Sequence, residues 1–162
     1  MDTFALAKAL VEAFKAKKQT LCFAESCTGG LAAAAVVAVA GASEIFYGGI
    51  VSYDSSVKQK LLGVSQTVLD TVGAVSAECA LQMAKGARAA IGTDIAVSVT
   101  GLAGPGGGSA EKPVGTVYIG IDSARGSRVL GLSLGAAGDR TAIRERTVYE
   151  MLAAAIEEVN QK

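Results

Sequence analysis

The chain reads as an α/β protein, a three-layer α/β/α sandwich with a mixed, mostly parallel sheet. Three observations predict this. Amphipathic helical stretches alternate with apolar runs too short to be helices, in the order α-β-α-β-α-α-β-β-β-α. Hydrophobic residues make up 51% of 162 positions, enough to bury one core, so residues 1–162 are expected to form a single domain. Two alternating runs late in the chain, separated only by a short turn, read as neighbouring strands and make the sheet mixed.

Each element has its own warrant. From Thr3 to Lys18, Leu6, Leu10 and Phe14 recur at helical spacing with Lys8, Glu12 and Lys15 opposite, an amphipathic helix that covers the sheet. Leu21-Cys22-Phe23-Ala24 is a short buried strand, and Leu31 to Ala40, nearly all Ala and Val, is a tightly packed helix ending near Gly41. Ile45 to Tyr53 is a second strand, in which Gly48-Gly49 marks a bulge or a close backbone approach. Asp54 caps a short helix that runs to Leu62 and stops at Gly63, and Ser65 to Thr71 is a further short helical piece. Ser76 caps a longer helix to Ile91, stopped by Gly92, and the Ile- and Val-rich run Asp94 to Val99 is a central strand. Thr100 to Pro113 is a Gly-rich loop. Val114 to Asp122 and Ser127 to Leu134 are the paired strands, turning at Ala124-Arg125-Gly126. The last helix begins near Asp139 and carries Val148, Leu152, Ala155, Ile156 and Val159 on one face.

Composition excludes several functions. Fifteen basic and fifteen acidic residues give a formal net charge of zero, which leaves no electrostatic footprint for nucleic acid or a membrane surface. The apolar runs are too interrupted for a transmembrane helix, and Met1-Asp2-Thr3-Phe4 lacks the pattern of a signal peptide. Cys22, Cys27 and Cys79, with no C-x-x-C spacing, read as reduced thiols of a cytoplasmic protein. The chain has no histidine, which excludes Ser-His-Asp and Cys-His catalysis within one chain and every His-ligated metal site. Any general base must then be Lys, Glu, Asp, Tyr or a thiolate.

Four stretches carry candidate chemistry. Ala24 to Gly30 is a strand-to-helix turn loaded with reactive side chains, at the end of a strand where open α/β sheets bind ligands. Ser26 is a candidate nucleophile there, with backbone N–H groups of Thr28, Gly29 and Gly30 as oxyanion donors; the plainer reading makes Ser26 or Thr28 a helix cap. Cys27 is a rival nucleophile with nothing near it in sequence to lower its pKa. Ser52 to Lys58 leaves a strand and enters a helix at the same sheet edge. In a chain without histidine a desolvated lysine is the natural partner for a serine, which makes Lys58 and Lys60 candidates against the reading of solvated lysines. Thr100 to Ser109 follows a buried strand and offers backbone amides to a phosphate or a planar polar group, or is a plain loop; it matches neither a Walker loop nor a dinucleotide fingerprint. Arg140 and Arg144, four apart in the first turns of a helix, repel each other and oppose the macrodipole, which invites a phosphate or pairing with Asp139 and Glu145.

In order along the chain, Ala24-Glu25-Ser26-Cys27-Thr28-Gly29-Gly30, Val51-Ser52-Tyr53 with Lys58, Gly101-Leu102-Ala103-Gly104-Pro105 with Gly107-Gly108-Ser109, Glu111-Lys112-Pro113-Val114-Gly115-Thr116-Val117 and Gly138-Asp139-Arg140 resemble the CinA C-terminal-domain family. Its members include stand-alone bacterial nicotinamide mononucleotide deamidases. The resemblance implies hydrolysis of the nicotinamide carboxamide to nicotinic acid mononucleotide and ammonia, in pyridine-nucleotide salvage, by a cytoplasmic homo-oligomer that needs no metal or cofactor. In larger members this domain follows a molybdopterin-binding-like domain, and no such domain is expected here. The resemblance makes Ser26 the residue that attacks the amide and Lys58 the base. It assigns Tyr53, Thr100, Gly101, Gly104, Pro105 and Gly106 to the base and ribose pocket, and Arg140 and Arg144 to the 5′-phosphate, with Arg146 an alternative to the second. Glu25 orients either Lys58 or a substrate hydroxyl. A partner-binding module linked to competence or DNA damage, and a nucleotide sensor without turnover, are the competing readings. Neither needs the pair of Ser26 and Lys58.

Overall fold

The computed structural model describes residues 2–161. Its elements run α1 (Thr3–Lys17), β1 (Leu21–Glu25), α2 (Leu31–Val37), β2 (Phe46–Val51), α3 (Ser55–Leu62), α4 (Gln66–Thr71), α5 (Ala77–Ile91), β3 (Ile95–Gly101), β4 (Thr116–Ser123), β5 (Gly126–Ser133) and α6 (Arg140–Asn160). Helix ends follow the side chains available to cap them. Asp2, Asp54, Ser65, Ser76 and Asp139 each accept a backbone N–H of the following first turn. Gly63 and Gly92 end α3 and α5 in the left-handed region.

The five strands lie in the order β2-β1-β3-β4-β5. The pairings β1–β2 and β1–β3 are parallel, while β3–β4 and β4–β5 are antiparallel. The sheet is therefore mixed, with β4 alone running against the other four. Helices α1, α2 and α6 pack together on one face, and α5 lies on the other with α3 and α4 against it.

Strand alternation decides what each face receives. Leu21, Phe23, Ile95, Val97, Val99, Val117, Ile119 and Ile121 point to the α1/α2/α6 side and build the main core with Leu10, Phe14, Val36, Met151 and Leu152. The opposite positions are small: Cys22, Ala24 and Ala96 meet Met83 and Ala87 of α5, and Ser98 donates to the Ala80 carbonyl at 2.5 Å. Gly120 completes this shallow face, where a Cβ would stand 2.4 Å from the Ala80 carbonyl oxygen. Small side chains thus let α5 approach the sheet closely.

Several boundaries differ from expectation, the strands by one or two residues and the end of α2 by more. Helix α2 ends at Val37, not near Gly41, because the chain tightens into i+3 bonds from Val39 to Val36 and from Ala42 to Val39. The second strand is Phe46–Val51, shorter than Ile45 to Tyr53. Its pairing with β1 slips between Leu21 and Cys22, and Gly48 takes φ of 150° at this bulge. The short helical piece expected after Ser65 is α4, so β2 and β3 are separated by three helices, one more than the element order α-β-α-β-α-α-β-β-β-α counted. Ile156, expected on the inner face of α6, is only partly buried against the core. Among the described residues, no helix is long and apolar enough to cross a membrane.

Candidate active site

The chain leaves β1 toward β2 on one side and leaves β3 toward β4 on the other. The loops after these two adjacent parallel strands diverge, and a crevice opens at their carboxyl ends. A cleft of about 290 Å³ lies there. It is lined by Ser26 and Cys27 after β1, Tyr53 after β2, Lys58 on α3, the Thr100–Gly104 stretch with Gly106 after β3, and Arg140 on α6. Hollows of about 350 and 430 Å³ lie elsewhere, against Glu145 with Leu31 and Val148, and against Glu145 with Arg146 and Leu134. Neither contains a buried nucleophile with a base beside it.

Ser26 extends the β1 ladder by one step, its N–H donating to Val99 C=O at 3.1 Å, which fixes where the side chain starts. Lys58 sits one turn into α3 behind the Asp54 cap and is 1% exposed, whereas Lys60 of the same helix is exposed. The Lys58 Nζ lies 2.9 Å from Ser26 Oγ, 2.5 Å from Ser52 C=O and 3.2 Å from Tyr53 C=O. All three hydrogens of an ammonium thus find oxygen acceptors. Burial pushes the Lys58 pKa below its ordinary value of 10.5, against smaller opposing effects of Cys79, Cys27 and Asp54. Cys27 goes the other way: desolvation raises its thiol to about 11, so it is protonated at neutral pH and a poor nucleophile.

Glu25 has a role that its sequence position does not reveal. Its carboxylate is 1% exposed and accepts from Thr28 Oγ1 at 2.6 Å and from the N–H groups of Gly30 at 2.9 Å, Ala32 at 3.1 Å and Ala33 at 2.8 Å. It contacts neither Lys58 nor open cleft; it is the anion that the N-terminus of α2 attracts. Thr28, expected to offer its backbone N–H to an oxyanion, is fully buried and its hydroxyl is held by this carboxylate. Of the three amides expected to steady an oxyanion, Gly30 N–H serves Glu25 and Gly29 N–H donates to Ser26 C=O at 3.0 Å. Gly29 and Gly30 take φ of 64° and 101°, the left-handed backbone this reversal demands.

The arginines divide. Arg140 donates to Gly104 C=O at 2.7 Å and to the Tyr53 hydroxyl at 3.0 Å, joining α6, the Gly-rich loop and the 62% exposed Tyr53 at the cleft. Arg144, expected at a phosphate, donates instead to Cys27 C=O and Thr28 C=O, each at 3.0 Å. Arg146 pairs with Glu150 and lies over the Tyr149 ring, 5.4 Å from its centroid. The Thr100 hydroxyl donates to Ala74 C=O at 2.8 Å, and Gly101, Gly104 and Gly106 line the cleft. Pro105, joined to Gly104 by a cis peptide bond, lines the adjoining hollow on the other side of Arg140. Leu102 and Ala103, within the Thr100 to Ser109 stretch, also line the cleft, and Ala74 and Val75 line it without any sequence expectation. Apolar residues carry no local chemical signal, and the helix cap at Ser76 was the only nearby marker. Among the described residues, no group of three or more His, Cys, Asp or Glu is placed to hold a metal ion.

The model of the CinA C-terminal domain family matches residues 3–159. The chain is 57% identical over 107 residues to a putative competence-damage inducible protein of Moorella thermoacetica, an alignment covering 66% of this chain and 26% of that protein. It is 48% identical to a CinA-like protein of Geobacter sulfurreducens, over 89% of this chain and 34% of the other. The chain thus spans about a quarter to a third of these longer relatives. A further relative is matched nearly end to end: the nicotinamide-nucleotide amidohydrolase PncC of Enterobacter agglomerans, 47% identical over 90% of this chain and 88% of the other. Among solved structures, the competence/damage inducible protein CihA of Agrobacterium tumefaciens superposes with a TM-score of 0.94 at 41% identity, covering 99% and 97% of the two chains.

Proposed function

The chain belongs to the CinA C-terminal domain family, and from that membership we propose that it is an amidohydrolase converting nicotinamide mononucleotide to nicotinic acid mononucleotide and ammonia. The observation that carries the mechanism is the buried Lys58 amine 2.9 Å from Ser26 Oγ. The substrate is supported by the name of the Enterobacter agglomerans relative.

A neutral Lys58 donates its two N–H groups to the carbonyls of Ser52 and Tyr53, which aims its lone pair at the Ser26 hydroxyl. Lys58 takes the hydroxyl proton as Oγ bonds to the carboxamide carbon, and the amide oxygen becomes an oxyanion. We assign this oxyanion to the amides of Cys27 and Thr28, which serve neither Glu25 nor the Ser26 carbonyl. The Lys58 ammonium then protonates the nitrogen as the C–N bond breaks. Ammonia leaves, an ester on Ser26 remains, and Lys58 is neutral again. It next deprotonates a water that attacks this ester, then returns that proton to Ser26 Oγ as the C–Oγ bond breaks; the acid released ionises to the carboxylate in solvent. Arg140, beside Tyr53 and the Gly104 turn, is the cation of the cleft available for the 5′-phosphate once substrate competes with its present acceptors.

Ammonia release from nicotinamide mononucleotide, measured in chelator for wild type, Ser26→Ala and Lys58→Ala, tests this reading. The expected outcome is turnover in wild type and a loss on the order of 10³-fold or more in each variant. Folded wild type that releases no ammonia would overturn it.

A further inference from the structure

We propose that Arg144 is a positioning residue that strengthens the backbone donors of the nucleophile turn through their own peptide groups, an inference that rests on the Ser26 reading above. One guanidinium grips two successive carbonyls, with Nε on Cys27 C=O and Nη2 on Thr28 C=O, from 117 and 116 positions away in the chain. The planar fork of arginine fits this pair of acceptors, whereas a lysine reaches only one. The Nη2 atom also lies 3.6 Å from where a Gly29 Cβ would stand, so the guanidinium rests directly over the turn.

The chemistry follows from which N–H shares a peptide unit with each carbonyl. Cys27 C=O is conjugated with Thr28 N–H, and Thr28 C=O with Gly29 N–H. A cation on the oxygen draws density through the partly double C–N bond and makes the attached N–H a stronger donor. Gly29 N–H closes the turn onto Ser26 C=O, so Arg144 tightens that closure. Thr28 N–H is one of the two amides left to the oxyanion, so Arg144 strengthens that contact as charge develops. The Glu25 carboxylate meanwhile gathers the N–H groups of Gly30, Ala32 and Ala33. The turn is therefore held by a cation on its carbonyl side and an anion on its amide side. This also accounts for a second arginine at the start of α6: the two carbonyls offset its conflict with Arg140 and the macrodipole.

The test compares full-length wild type, Arg144→Lys, Arg144→Gln and Arg140→Ala in two assays. In ammonia release, the Arg144 variants are expected to lose kcat by on the order of 10- to 100-fold, less than deletion of an oxyanion donor, with KM within about twofold. Arg140→Ala is expected instead to raise KM. A raised KM with unchanged kcat in the Arg144 variants would make Arg144 a substrate contact and overturn the inference. The second assay needs no nucleotide: a fluorophosphonate reacts at Ser26, the Oγ–P bond forming as P–F breaks, fluoride leaving and the proton passing to Lys58. Labelling at least about tenfold slower in both Arg144 variants, with the thermal midpoint of Arg144→Lys unchanged, is the expected result. Equal labelling rates would refute the proposal. Wild type that labels at Ser26 but releases no ammonia removes the nucleotide substrate while the labelling rates still decide Arg144. Wild type that does not label overturns both.

Discussion

Lys58 is a cation by default that is surrounded by three oxygens and almost no water. Desolvation favours the neutral amine, which is the form a general base requires. The sign of the pH dependence follows. With Lys58 as the proposed base, activity is expected above its lowered pKa and is expected to be lost as pH falls through it, which puts the acidic limb of kcat/KM below 10.5. A kcat/KM profile whose acidic limb titrates at 10.5 or above would show that Lys58 is not the desolvated base. At the neighbouring position, Cys27 shows why adjacency to the proposed nucleophile does not make a second one. With its thiol pushed up to about 11 by burial, almost none is thiolate at neutral pH.

Among the elements, α5 and β4 depend on what is missing from a side chain. Gly120 faces Ala80 across a gap that admits no Cβ, since one would stand 2.4 Å from the Ala80 oxygen and 2.6 Å from its carbon. That backbone cannot yield easily, because the same carbonyl accepts the Ser98 hydroxyl. Gly120→Ala is expected to cost about 1–3 kcal/mol, the usual penalty of overpacking, with a lower urea midpoint. An unchanged midpoint would mean that α5 shifts freely on the sheet. Helix α2, by contrast, is a short element whose first turn is held by Glu25 rather than by a capping residue at its start. The caps at Asp54 and Ser76 were legible because each acts within three residues. The early end of α2 was not, because no Gly or Pro interrupts the run from Leu31 to Ala40.

At the scale of the molecule, Glu158 ties the end of α6 to the β4–β5 hairpin. Its carboxylate accepts from Ser123 Oγ at 2.7 Å, Arg125 Nε at 3.2 Å and Arg128 Nε at 3.2 Å while 3% exposed. Burial alone would raise its pKa, yet the Ser123 hydroxyl and the two arginines together hold it below 4.5. A depressed carboxyl stabilises the fold above its unfolded pKa, and that contribution disappears as pH falls through the native value. Glu158→Gln is expected to cost about 1–3 kcal/mol at pH 7, less than a fully buried pair because both arginines reach solvent. The difference from wild type should shrink as pH drops below about 4.5. Chemical denaturation at pH 7 and pH 3.5 checks both, and a pH-independent difference would assign the effect to packing alone.

The sequence alone determined the layers and most element ends, because these follow from periodicity and from caps acting over a few residues. It also narrowed the chemistry, since a chain without histidine that has Ser26 after one strand and Lys58 after the next leaves few bases to choose from. Only the tertiary structure buries Lys58 and leaves Lys60 exposed, since a helix face becomes buried only when another element covers it. It likewise drew Glu25 onto the α2 amides and Arg144 onto the Cys27 and Thr28 carbonyls. Charged side chains go to whatever buried polar groups lack partners, and for Arg144 those groups lie 116 and 117 positions away, beyond the reach of any local pattern.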